Sequence, residues 1–186
     1  MQDHLLVLRE KTMIYIHYYD SPLGRMIASS DGYKLTGLWF EGQQHCIDTS
    51  NLKDLTSENK LTIFSITDRW LDTYFGGIEP DYTPPLCFTT TSFRCEVFKT
   101  LLTIPYGQTV TYSKLAEKIA KKRGIARMAA QAVGSALSHN PVLVIIPCHR
   151  VIGSKGSLTG YAAGTDKKLA LLTMEKRFNN YFCGNA

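Results

Sequence analysis

At 186 residues the chain could form one large domain or two small ones, and its 44% hydrophobic and 20% charged content excludes wholesale disorder. Charge divides unevenly, with 7 Lys and Arg against 12 Asp and Glu in residues 1–91 but 14 against 4 in residues 92–186, so the basic second half suits a polyanion, or merely solvates its helices. Five cysteines, an odd number without a C-x-x-C pair, argue against a secreted disulfide framework or a zinc ribbon and for a reduced, cytoplasmic protein.

In chain order, residues 1–12 form an extension whose acids surround a short apolar patch, unlike a signal or transit peptide. No apolar run reaches the ~20 residues needed to span a bilayer, so no membrane partner is expected. Aromatic and β-branched runs broken by Ser-Pro-Leu-Gly and Ser-Asp-Gly then predict an antiparallel meander at about 13–19, 25–30 and 34–40. Ile66, Trp70, Leu71 and Tyr74 follow at helical spacing, and Gly76-Gly77 ends that helix. The proline- and threonine-rich stretch 78–91 reads as a linker, which sets an N-terminal α/β domain at 13–88 and a second domain at 89–186.

The second domain opens with a helix capped by Ser92, with Phe93, Val97, Phe98, Leu101 and Leu102 on one face. A turn leads to a helix over 113–123 stopped by Gly124, and a third helix spans 127–138. Three short helices in a basic domain suggest a helix-turn-helix arrangement. On the third helix Ala129, Ala132, Val133, Ala136 and Leu137 face the core, while Arg127, Ala130, Gln131, Gly134 and Ser138 face away. That outer face is nearly bare of bulk. It suits close packing on a neighbouring helix, or a ridge entering a narrow groove of DNA with Gln131 as the probe.

The run Val142–Ile146 reads as a buried strand ending at Pro147, after which come Cys148, His149 and Arg150. A thiol becomes a strong nucleophile when a base, cation or dipole favours its thiolate. In extended chain, neighbours point to opposite sides, so a water would have to bridge Cys148 and His149; alternatively both are ordinary core residues. A glycine-dense loop, 153–165, can fold over a ligand. In the last helix Glu175 shares the apolar face of Leu171 and Leu172, where a carboxylate needs a partner. His149 would serve, making a Cys148–water–His149–Glu175 relay.

Taken together, "IPCHRVIG", "FRCEVFKTLLTIPYGQTVTYSKLA", "AQAVGSALSHNP", "GSLTGYAAG", the Lys168–Glu175 run and the N-terminal "SPLG" and "LTGLWFEG" resemble the O6-methylguanine-DNA methyltransferase family from about Met13 to Arg177. The resemblance implies an α/β (α+β) fold: a small antiparallel-sheet, ribonuclease H-like domain, then a mostly helical, winged helix-turn-helix-like domain. It implies that Cys148 takes the alkyl group from O6 of guanine in double-stranded DNA, with O4-methylthymine left open, and keeps it, once per molecule. His149 would be the water-mediated base oriented by Glu175, Asn140 the brace of the active-site turn, and Tyr112 the donor to the departing guanine. Carbonyls of Cys148 and Val151 would receive the guanine amine, and Tyr161 and Ala162 would wall the pocket.

The resemblance further implies that the third helix enters the minor groove through Ala130, Gln131, Gly134 and Ser135, beside a flipped base. Arg127 and Arg150 would add charge there; Arg94, Lys99 and Lys114 are phosphate contacts suggested by charge and position. Gln131 stands where many members carry an arginine. His17, His45, Cys46 and Cys87 do not match the zinc ligands of some members, so neither metal nor cofactor is expected. A monomer is expected, and with no regulatory domain before the core an adaptive-response activator is not. The competing readings are a non-catalytic lesion-recognition protein, a helix-turn-helix regulator and a cysteine hydrolase. The first lacks the cysteine, the second needs base-reading side chains rather than alanines, and the third needs direct His–thiol contact.

Overall fold

A computed structural model describes residues 13–49, 52–54 and 61–183; the expected extension, residues 1–12, falls outside them. The first half is the expected meander: β1 (Tyr15–Ser21), β2 (Gly24–Ser30) and β3 (Leu35–Phe40) pair antiparallel in turn. A short β4 (Lys53–Asp54) adds parallel to β1, giving the order β3-β2-β1-β4. Its polar surroundings carry no strand signal in the sequence. Helix α1 (Thr62–Phe75) lies against the sheet and buries Ile63, Phe64, Trp70, Leu71 and Tyr74, each large apolar side chain stabilising by roughly 1.5–3 kcal/mol. On β3 the indole of Trp39 lies over Gly37, two residues earlier on the same face, where any Cβ would collide with the ring.

Strand β3 also joins the two halves. At Leu35 it pairs with the proline-rich stretch, Leu35 N donating to Pro85 O at 2.8 Å and Cys87 N to Leu35 O at 2.9 Å. At Leu38 it pairs with the segment after the third helix: Leu38 N donates to Pro141 O and Leu143 N to Leu38 O, both at 2.8 Å. One core runs from Met26 through Phe98 and Ile146 to Leu171.

The second half is helical. Helix α2 (Ser92–Leu101) is capped by Thr91, whose hydroxyl accepts from Arg94 N, so the cap sits one residue before the expected Ser92. A two-residue β5 (Val110–Thr111) leads into α3 (Tyr112–Arg123), capped by Thr111 and closed by Gly124 at φ +65°, a left-handed position that favours glycine. Helix α4 (Ala130–Leu137) begins three residues later than the expected 127. Ala129 offers no side chain to the free N–H groups of the first turn, and Arg127 stays in the preceding loop. β6 (Val151–Ile152) pairs parallel with β5, and α5 (Thr165–Cys183) ends the described chain. Among the described residues, no helix is long and apolar enough to cross a membrane.

The expected strand Val142–Ile146 is not a strand. Only Val142 bridges to β3; the chain then folds into successive tight turns. Ile145 N donates to Leu143 O across Val144, whose φ is +69°, and Cys148 N donates to Ile146 O across Pro147 at φ −82°, ψ 61°. The latter is an inverse γ-turn; the former has the rarer, strained hand. Burial on all sides, with Val142 to Ile146 all under 5% exposed, makes the run wholly apolar without making it extended. A β-branched residue in the left-handed region persists only where its surroundings over-determine it.

Candidate active site

Cys148, His149 and Arg150 form one 3₁₀ turn leaving Pro147, and all three side chains are buried. Asn140, just after α4, fixes this turn: its amide donates to Ile146 O at 2.8 Å and to Cys148 Sγ at 3.2 Å, and its carbonyl accepts from Val142 N at 3.0 Å. Burial pushes the Cys148 thiol up to about 11, despite the opposing Asn140 hydrogen bond and Lys168 charge. At neutral pH it is therefore a thiol, and any reaction as thiolate needs a base.

His149, the next residue, is paired with a carboxylate. Glu175, on the inner face of α5, is fully buried, and its Oε1 lies 2.7 Å from His149 Nε2. Burial alone would raise the Glu175 pKa, but hydrogen bonds and charge from His149 and Arg150 outweigh it and hold the group down to about 2. A carboxylate only accepts, so Nε2 carries the proton and Nδ1 keeps the lone pair. Burial lowers the His149 pKa, keeping the ring neutral, with Glu175 opposing. Among the described residues His149 Nδ1 is buried with no hydrogen-bond partner in the protein, as is the hydroxyl of Tyr161, whose ring stands edge-on to His149. Cys148 Sγ takes its hydrogen bond from Asn140 rather than His149.

Glu175 has further partners. Tyr74, from α1 in the first half of the chain, donates to Oε1 at 2.8 Å, and Gly107 N donates to Oε2 at 3.0 Å. Arg150 donates from Nε to Oε2 at 3.0 Å and from a terminal nitrogen to Oε1 at 3.1 Å; its other terminal nitrogen donates to Ile104 O at 2.7 Å. The guanidinium also lies over Tyr106. Arg150 was expected at the DNA surface; the structure instead buries it as the counter-charge of Glu175. A guanidinium fork matches a buried carboxylate better than it tolerates being left unpaired.

Above Cys148 opens a cavity of about 560 Å³ walled by Tyr112, Ala130, Gln131, Gly134, Ser135, Tyr161 and Ala162, so most of the expected pocket and helix residues meet at one place. Tyr112 donates to the Thr159 and Gly160 carbonyls at 3.2 and 3.4 Å. Val151 is buried beside the cysteine turn. Lys114 and Arg127 are exposed; Arg94 and Lys99 are on α2, and none of these four borders this cavity. Sequence reasoning gave no role to Lys168, although it begins a quoted motif. Its buried ammonium donates to Thr159 O at 2.8 Å and lies over the Tyr112 ring. Tyr74 was read only as part of an apolar face. Gln44 and His45 also line the cavity; His45 was weighed only as a metal ligand, and Gln44 not at all. Among the described residues no three His, Cys, Asp or Glu side chains are grouped to hold a metal ion, and Cys46, Cys87, Cys95 and Cys148 are free thiols.

A buried thiol next to a buried His–Glu pair, lining a cavity edged by α4 of the basic, helical half, fits an enzyme that does thiol chemistry. Two family models cover the chain: the ribonuclease-like domain of 6-O-methylguanine DNA methyltransferase matches residues 14–86, and the DNA-binding domain of the same family matches residues 92–177. The methylated-DNA–protein-cysteine methyltransferase of Mycobacterium leprae is 39% identical over 164 residues, 88% of this chain and 93% of that protein. Its counterpart in Haemophilus influenzae is 35% identical over 166 residues, 89% of this chain and 88% of that one. The crystal structure of Mycobacterium tuberculosis OGT in complex with DNA superposes with a TM-score of 0.76 at 37% identity, covering 88% of this chain and 94% of that one. The chain belongs to the O6-methylguanine-DNA methyltransferase family, whose members are DNA-binding repair enzymes that move an alkyl group from methylated DNA to a protein cysteine.

Proposed function

We propose that Cys148 is the alkyl acceptor and that the enzyme removes the alkyl group from O6-alkylguanine in double-stranded DNA, one group per molecule. The observation that carries this reading is a buried Cys148 thiol lining the cavity, one residue before a His149 whose Nδ1 is buried and unpartnered while its Nε2–H is held by Glu175. The thiol proton passes through a bridging water to Nδ1, and Glu175 stabilises the resulting imidazolium. The thiolate attacks the O6-bound carbon; the carbon–sulfur bond forms as the carbon–oxygen bond breaks, and the electron pair enters the guanine ring. Tyr112 turns its hydroxyl from the Thr159 and Gly160 carbonyls to the ring as charge develops there. Carbonyls of Cys148 and Val151 receive the guanine amine, and Tyr161 and Ala162 close the pocket. The thioether has no route back to a thiol, which limits each molecule to one reaction.

A base inside a duplex cannot reach a buried sulfur, so the lesion is extruded, at a cost of a few kcal/mol that pocket contacts offset. The small outer side chains of α4, Ala130 and Gly134, let that helix approach the minor groove, with Ser135 beside the backbone and Gln131 filling the gap left in the stack. Lys114, Arg127, Arg94 and Lys99 supply sequence-independent phosphate attraction. We assign the domain boundary to the proline-rich stretch between 78 and 91, and expect a cytoplasmic monomer; O4-methylthymine, with the same oxygen–methyl geometry, is the second substrate to try. Incubation with duplex DNA carrying O6-methylguanine tests the proposal by whether the methyl group moves to Cys148.

A further inference from the structure

The cavity over Cys148 is not walled by the DNA-binding half alone. The loop after β3 brings the exposed Gln44 and His45 to its lining, which also includes Tyr161, Ser135 and Ser138. The pairing of Leu38 with Pro141 and Leu143 aims the end of β3 at the active-site turn. Gln43 then holds the loop: its side-chain carbonyl accepts from Phe40 N at 2.8 Å and its backbone N donates to Phe40 O at 3.2 Å. His45 itself sits at φ +60°, left-handed backbone for a residue with a ring. That ring stacks on His139, with centroids 5.5 Å apart and 13° between planes. His139 Nδ1 is in turn 2.8 Å from Ser135 O on α4. A strained residue, held by contacts from both halves of the chain at the mouth of a reactive cavity, is where a ligand contact is expected.

We infer that Gln44 and His45 grip the sugar-phosphate backbone of the lesion strand where it passes over the cavity mouth, so that the sheet domain contributes directly to holding the extruded nucleotide. The inference rests on the proposed function. Floor and rim do different work: the alkyl group must reach Cys148 at the floor, while the backbone of a flipped nucleotide stays at the rim. An amide and an imidazole offer N–H donors of the kind that bind phosphate oxygens. Both side chains are exposed, so changing them leaves the core intact.

The test measures binding of an O6-methylguanine duplex to the Cys148→Ser protein, and single-turnover methyl transfer at saturating DNA in the reactive protein. His45→Gly keeps the left-handed backbone without the ring; combined with Gln44→Ala it should weaken binding about three- to tenfold, in line with the loss of one or two hydrogen bonds, and leave the saturated transfer rate unchanged. His45→Asp should weaken binding more, with the excess shrinking as salt rises. Unchanged affinity, or a slower saturated rate at unchanged affinity, overturns the inference; the second outcome would make these residues part of the base pocket. Failure of the unsubstituted protein to accept any methyl group would overturn the proposed function instead.

Discussion

Glu175 accepts a hydrogen bond from the Nε2–H of His149 across 2.7 Å, with both side chains wholly shielded from solvent. The contact orients the ring so that its free lone pair belongs to Nδ1, and it leaves Arg150 dependent on the same carboxylate.

Two effects of Glu175→Gln follow, separable by measurement. Transfer should slow by roughly 10²–10⁴-fold in single-turnover assays, the usual contribution of a positioned general base. Stability should fall by about 3–5 kcal/mol in denaturant titration, because the buried Arg150 loses its counter-charge. Lost stability with an unchanged transfer rate would reduce Glu175 to a structural ion pair.

Acid should unfold the protein in two stages. Burial holds the His149 pKa below its ordinary 6.5, so below that pH the unfolded chain takes up a proton that the folded one refuses, and stability declines. Glu175 is depressed from 4.5 to about 2, so its stabilisation is complete above 4.5 and is lost as the pH falls from there toward 2. Denaturation midpoints measured from pH 8 down to 3 should decline below about 6.5 and more steeply below 4.5. Glu175→Gln should lose the second stage; a profile identical to that of the unsubstituted protein would contradict this account.

Cys148 should resist simple thiol reagents in the absence of DNA. Burial raises its pKa to about 11, whereas Cys87 is exposed. Peptide mapping after brief iodoacetamide treatment at pH 7 should find Cys87 labelled well before Cys148. Preferential labelling of Cys148 would mean that its thiolate is already formed and that the relay is unnecessary.

Gln131 lies on the exposed face of α4 at the rim of the Cys148 cavity. Gln131→Arg adds one cation facing DNA, so binding should tighten and the dependence of log K on log salt should steepen by about 0.9. Unchanged affinity and slope in a fluorescence titration would remove this residue from the interface.

Much of this site was legible in the sequence because its signals are local. Helical periodicity alone turned Glu175 inward, and the order Pro-Cys-His-Arg raised Cys148 as a candidate nucleophile, a role that only the family resemblance then assigned. Non-local facts were not legible. Tyr74 reaches Glu175 from 101 residues away, and its hydroxyl is invisible to an apolar pattern. The run Val142–Ile146 looked like a strand because full burial yields the same apolar letters for a strand as for a string of tight turns. Arg150 looked like a DNA contact because charge usually means surface; only the buried carboxylate explains it. Gln44 and His45 reach the cavity through the pairing of Leu38 with the active-site segment, which no motif encodes.

The most direct measurement of the central claim is the mass of the Cys148 peptide after incubation with duplex DNA containing O6-methylguanine. The account requires one added methyl group on that peptide, a plateau at one equivalent per protein molecule, and no adduct in Cys148→Ser. A Cys148 peptide of unchanged mass under conditions where the DNA is bound, or methyl removal that continues beyond one equivalent, would contradict it.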